Sequence, residues 1–176
     1  MERRLVIKQV LIMAGGLALL PSCLKESGKS SIALKNIAVT LDEENLLADI
    51  AETIIPRTKT PGARELKLQL YVLKMLDDCH EKTEQDDFIA GLGQLKDQIY
   101  DQYSKSFSKL SASQQKGILM ALESNKNSSP ELSTFYKIMK DRTIDGYLNA
   151  KYVMTKLIIW ELVPGRYNGY FPVKSA

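Results

Sequence analysis

From residue 40 onward, apolar residues recur every three or four positions, the spacing of one buried helical stripe. Thr40-Leu41-Asp42-Glu43 has capping-box spacing, with Thr40 as N-cap and Glu43 three residues on. Leu46, Leu47, Ile50, Ala51, Ile54 and Ile55 then continue one stripe until Pro56, which disfavours helical backbone in the residue before it. The run Pro56 to Ala63 reads as a turn-rich connector. A second helix carries Leu66, Leu70, Leu73 and Leu76, widened by Tyr71, Val72 and Met75. A third runs from about Thr83 to Tyr103 through Phe88, Leu92, Leu95 and Ile99; Gly91 and Gly93 weaken it by roughly 1 kcal/mol each relative to alanine and mark a close helix approach.

Ser111 to Gln114 is a second capping box and opens a helix through Ile118, Leu119 and Leu122. Ser129-Pro130-Glu131 places an N-cap, a proline at the first helical position and an early acid ahead of Leu132, Phe135, Ile138 and Met139. Further helix is expected from about Thr143 to Trp160, with a break near Gly146. No stretch alternates with period two. The pattern predicts an all-α fold, an irregular bundle of five or six helices.

The N-terminus carries a different pattern. Glu2-Arg3-Arg4 and Lys8 precede an uncharged run from Gln9 to Leu20, which is the order of a secretory signal. The run falls short of the roughly 20 apolar residues that span a bilayer. Leu20-Pro21-Ser22-Cys23 resembles a lipoprotein lipobox, which implies cleavage before Cys23 and lipidation of its thiol. Acyl chains bind a membrane with about 0.8 kcal/mol per buried methylene. Arg3-Arg4-Leu5-Val6-Ile7-Lys8 resembles the twin-arginine export motif, which serves folded cargo. The expected organisation is a signal peptide over 1–22, a lipidated Cys23 with a flexible Ser/Lys/Gly-rich tether over 23–39, and a helical domain over 40–176.

Loss of the signal removes Arg3, Arg4 and Lys8 against Glu2, leaving 21 basic and 20 acidic residues. That balance gives no reason to expect nucleic acid as a partner. With Cys23 acylated, Cys79 has no intramolecular partner and is expected as a small buried residue.

Candidate chemistry is sparse. His80 is the only histidine, so a histidine-built metal site is excluded. Cys79 and His80 are adjacent and would point about 100° apart on a helix, which does not make a nucleophile and its base. Asp77-Asp78 and the acids Glu81, Glu84, Asp86 and Asp87 flank a helix junction, where a solvated, capping role is the expectation over acid–base or metal chemistry. There is no phosphate-binding glycine loop, no dinucleotide fingerprint and no Cys-x-x-Cys-His haem attachment sequence. The late aromatics, with Arg166, Tyr167, Tyr170 and Phe171 in a turn-rich tail, suit either core packing or a contact surface.

Ile54-Ile55-Pro56-Arg57-Thr58-Lys59-Thr60-Pro61-Gly62-Ala63 resembles the I-I-P-x-T-x-T-P-G-A segment of the gluconate 2-dehydrogenase subunit 3 family. Pro164-Gly165-Arg166-Tyr167-Asn168-Gly169 is similar to that family's closing P-G-x-Y-x-G pattern, and Leu76 to Cys79 and Asp145-Gly146-Tyr147 fall where it has similar residues. The resemblance spans about residues 40 to 173. It implies a small subunit without its own active site, accompanying a large flavoprotein that oxidises sugars or sugar acids, often with a multihaem cytochrome c as acceptor. FAD and c-type haem would then sit on those partners and not on this chain. Pro56, Thr58, Thr60, Pro61, Gly62, Gly146, Tyr147, Pro164, Gly165, Tyr167 and Gly169 become the motif or contact residues. The sequence departs from the family pattern at Leu148 to Lys151, where members often have threonine, serine and glutamate, and at Tyr170, where many have cysteine. Two other readings remain: a stand-alone envelope lipoprotein whose helices form a binding groove, and an enzyme using the carboxylates around Asp77 and Asp78.

Overall fold

The computed structural model describes residues 28–124, 128–158, 165, 169 and 170. Arg3, Arg4, Cys23, Pro164 and Tyr167 lie outside the described residues, as do Trp160, Arg166 and Phe171. Five α-helices are present among the described residues: α1 Leu41–Ile54, α2 Leu68–Cys79, α3 Lys82–Tyr103, α4 Ala112–Glu123 and α5 Pro130–Leu148. A 3-10 turn at Phe107–Lys109 joins α3 to α4, and a π-helical turn at Val153–Leu157 follows α5. No strand occurs among the described residues, in line with the all-α reading. No helix among them is long and apolar enough to cross a membrane.

The local start signals act as expected. The Thr40 side chain accepts from Glu43 N at 3.3 Å, while Glu43 Oε2 accepts from Thr40 N at 3.0 Å. Ser111 and Gln114 repeat the arrangement, and Ser129 Oγ accepts from Leu132 N ahead of Pro130. These contacts satisfy N–H groups that have no partner inside a helix.

The longest helices, α3 and α5, pack along each other, and α2 lies against α5. Phe88 and Phe135 meet at their centre, ring centroids 4.8 Å apart and tilted by 55°. Leu47, Ile50, Val72, Leu73, Leu76, Leu92, Leu95 and Met139 complete a single core. Burying each such side chain is worth about 1.5–3 kcal/mol relative to leaving it exposed. Gly91 permits the α3–α5 approach, because a Cβ there would lie 2.4 Å from Glu131 O and 2.6 Å from Phe135 Cβ. Gly93 faces open space and marks no approach.

Other expectations are corrected as well. The break placed near Gly146 falls at Asn149, whose Nδ2 donates to Asp145 O; Gly146 is interior helix, kept small by Tyr71 Cδ1 at 2.8 Å from where its Cβ would stand. Cys79 is exposed, not buried: it is the last residue of α2, beyond the stretch that packs into the core. The segment read as tether is fastened to the domain over residues 28–39. Ser31 N and Oγ both donate to the Glu44 carboxylate, at 2.6 and 2.7 Å, and Ile37 and Val39 are buried.

Asp77 holds the same segment. Its carboxylate is 1% exposed and accepts from the backbone N–H groups of Lys35, Asn36 and Ile37, at 2.9, 2.7 and 3.2 Å. A solvated role is therefore wrong for Asp77, although Asp78 is exposed and pairs with Lys74 at 2.9 Å. Burial by itself favours the neutral acid, but the three N–H groups outweigh it and hold the Asp77 carboxyl below the usual carboxylate value. Bonded to backbone and 1% exposed, the Asp77 carboxylate is closed off from solvent. Buried Gln85 closes the junction by donating to the carbonyls of Leu76, Asp77 and His80 at the end of α2.

Candidate functional site

The motif residues Pro56 to Ala63 and the pair Gly146-Tyr147 gather at one end of the bundle. Pro56 ends α1, and Ala63 N donates back to Ile55 O at 3.0 Å, closing the loop between them. Glu52, in the last turn of α1, reaches into that loop with both oxygens: Oε1 accepts from Arg57 N at 2.9 Å and Oε2 from Arg64 N at 2.8 Å. One carboxylate thus fixes both arms, and charge-assisted bonds of this type are stronger than neutral ones. Gly62 passes directly beneath it. A Cβ on Gly62 would stand 2.5 and 2.6 Å from the two Glu52 oxygens and 2.7 Å from Arg57 N.

The loop tip has its own bonds. Thr58 N donates to Thr60 O at 3.0 Å, and the two threonine hydroxyls are 3.3 Å apart. From the last turn of α5, the Tyr147 hydroxyl donates to Thr60 Oγ1 at 3.3 Å. Gly146, beside Tyr147, lets α5 lie close to Tyr71 and Leu68 of α2. The loop is therefore tied to α1 through Glu52, to α5 through Tyr147, and to α2 through Ala63 O, which accepts from Leu68 N.

This geometry sorts the motif. Gly62, Ala63 and Gly146 are buried and serve packing. Thr60, Pro61 and Tyr147 are half-buried, and Pro56, Arg57, Thr58 and Lys59 are exposed. Arg57 sits 3.6 Å from Glu65, both well exposed, and Lys59 has no ion-pair partner among the described residues. Of the closing motif, Gly165 and Gly169 are described; nothing lies within 4 Å of a Cβ built on Gly165. Tyr170 is exposed.

Sequence reasoning missed Glu52, which stands outside the motif it organises, and Arg64, whose guanidinium pairs with Asp49 of α1. A carboxylate one turn before a helix-ending proline was the available signal.

His80 is not paired with Cys79. Its Nδ1 lies 2.8 Å from Glu84 Oε2, and its Nε2 accepts from Arg142 Nε at 3.2 Å, while Arg142 also reaches Asp145. Acceptance at Nε2 places the proton of the neutral ring on Nδ1, facing Glu84. This chain of contacts joins α3 to α5 and offers no free base. Among the described residues, no group of three His, Cys, Asp or Glu is placed to hold a metal ion.

A search of curated proteins and a search of solved structures each return no match. A family model described as gluconate 2-dehydrogenase subunit 3 matches residues 41–165, from the first residue of α1 into the closing motif. The match covers all five helices and the loop that Glu52 and Tyr147 hold. The chain belongs to the gluconate 2-dehydrogenase subunit 3 family.

Proposed function

We propose that this chain is a non-catalytic accessory subunit of a flavin-dependent dehydrogenase acting on a sugar or sugar acid. It escorts the flavoprotein through export, stabilises it, and tethers it to a membrane of the cell envelope through acyl chains on Cys23. A cytochrome c partner receives the electrons. Arg3 and Arg4 direct the chain to twin-arginine export, and the domain faces the periplasm or the exterior. FAD and haem belong to the partners and supply the redox chemistry there.

The observation that carries this reading is the family match over residues 41–165 together with the construction of the motif loop. Its inner residues are buried or bonded, and its outer residues Pro56, Arg57, Thr58 and Lys59 are exposed on a tip held from three helices. A loop already fixed in shape loses little freedom on association, which favours a contact role.

The test is a gentle detergent pull-down of the tagged, full-length protein from its own cells, read by mass spectrometry and flavin absorbance. A stoichiometric flavoprotein in the eluate is the expected result and names the substrate class to assay. An eluate with neither flavoprotein nor cytochrome, from cells grown on several carbon sources, would overturn the reading in favour of a stand-alone envelope lipoprotein.

A further inference from the structure

A groove of about 1030 Å³ lies between α1, the C-terminal turns of α3 and the segment 104–109. Its floor is apolar, with Ile99 and Phe107 buried and Leu46 half-buried. Tyr100 stands in its lining with 66% of its surface exposed, a large apolar ring with no burial to account for it. The segment that closes the groove is built in place. Ser104 adopts a left-handed φ of 50° and reverses the chain after α3, Phe107 plugs into the core, and Gln115 Nε2 donates to Phe107 O at 2.9 Å.

The open charges of the lining are sorted by element. α1 contributes Asp42 and Asp49, α3 contributes Lys96 and Asp97, and the segment 104–109 contributes Lys105 and Lys109. Asp49 is neutralised by Arg64 and Lys96 by Glu43, but Asp42, Asp97, Lys105 and Lys109 have no ion-pair partner among the described residues. Acid and base are thus left open on different elements of one groove, and an occupant with the converse arrangement would complete both.

Small-molecule sites are about 300–1,000 Å³ and enclose most of their ligand. This groove is at the top of that range and open to solvent, which suits a polypeptide segment instead. An amphipathic helix lays its apolar stripe into such a groove, and flanking charges fix its register. Arg64, which follows Ala63 of the motif loop, pairs with Asp49 in the lining and so links that loop to one wall of the groove.

We infer that this groove receives an amphipathic helix of the flavoprotein subunit, its apolar stripe on Leu46 and Tyr100, its basic side on Asp42 and Asp97 and its acidic side on Lys105 and Lys109. This rests on the accessory-subunit reading and adds the surface and the chemistry of the partner segment.

The experiment places the photo-crosslinking residue benzoylphenylalanine at position 100 in the full-length protein in its own cells, with exposed Lys137 on α5 as the comparison site. Crosslinking from position 100, and not from 137, to a helical flavoprotein segment bearing both charge signs is the expected result. The double variant Lys105→Glu, Lys109→Glu is expected to lower flavoprotein recovery at least about tenfold with an unchanged melting temperature. If the unsubstituted protein still recovers the flavoprotein while position 100 crosslinks to a second copy of this chain, or to nothing, the groove assignment is overturned and the subunit reading stands. If the unsubstituted protein recovers no flavoprotein, both are overturned together.

Discussion

Glu52 and Gly62 form an interlocked pair: the carboxylate that holds both arms of the motif loop occupies the space a side chain at position 62 would need. Gly62→Ala therefore sets a Cβ against both Glu52 oxygens and Arg57 N. Overpacking of this kind costs about 1–3 kcal/mol. The Glu52 oxygens are the far end of a flexible side chain, but moving them aside releases Arg57 N and Arg64 N, so either response loosens the loop. Glu52→Ala is expected to destabilise by about 1 kcal/mol or more through the two lost bonds. In a double-mutant cycle read by urea unfolding, Gly62→Ala is expected to cost less in the Glu52→Ala background than in the parent. Additive costs would show that the two residues act separately.

The helices were legible because their signals are local. Thr40 with Glu43, Ser111 with Gln114 and Ser129 with Pro130 each act within three residues, and Pro56 ends α1 by its own ring. The motif was legible as a string, but its organiser was not. Glu52 lies 12 residues from Arg64, and Asp77 lies 40 to 42 residues from the amides it binds. A carboxylate aimed at distant backbone leaves no periodic trace, so Asp77 reads as one more acid in an acidic stretch. Cys79 was misplaced because residue type predicts average burial, while its position at the end of α2 decides its actual exposure.

Asp77 gives the fold a specific acid sensitivity. Its folded carboxyl ionises below its unfolded value, so the stabilisation is complete above pH about 3.9 and is lost as pH falls through the lower folded value. Asp77→Asn keeps the shape but removes the charge and, with its oxygen in place of Oδ1, sets an amide N–H against the N–H of Lys35. The expected cost at neutral pH is about 2 kcal/mol, with faster proteolysis within residues 28–40. The gap between parent and variant should narrow as pH falls below about 4, where the unfolded carboxyl takes up its proton first and the folded one follows at its lower value. A gap that stays constant to pH about 2 in urea unfolding would remove Asp77 as the acid-sensitive group.

The exposure of Cys79 makes the state of Cys23 measurable without mass spectrometry of lipid. The lipid anchor proposed above predicts that, in the folded protein recovered from its own cells, a maleimide labels one thiol, at Cys79, without denaturant. An acylated Cys23 contributes none, because its thiol is in a thioether. Cys79→Ser should abolish labelling and leave the melting temperature within about 1 °C, since an exposed substitution away from special features changes little. Labelling that persists in Cys79→Ser would place a free thiol at Cys23 and contradict the lipid anchor.

Gly91 and Gly93 lie two residues apart in α3 and are expected to respond to alanine with opposite sign. At position 91 the new Cβ meets Glu131 O and Phe135 Cβ, one a backbone atom of α5 and the other part of the central ring contact. Neither retreats without moving α5 away from α3, along the most extensive helix pairing in the molecule. Gly91→Ala should therefore cost about 3 kcal/mol and lower the melting temperature by about 6–12 °C. At position 93 nothing lies within 4 Å, so alanine brings only its better helix propensity. Gly93→Ala should gain about 1 kcal/mol and raise the melting temperature by about 2–4 °C. Thermal melts of the two variants beside the parent decide the matter. If both lower the midpoint, the open side of α3 at Gly93 is covered in solution; if neither does, α3 and α5 are farther apart than Gly91 requires.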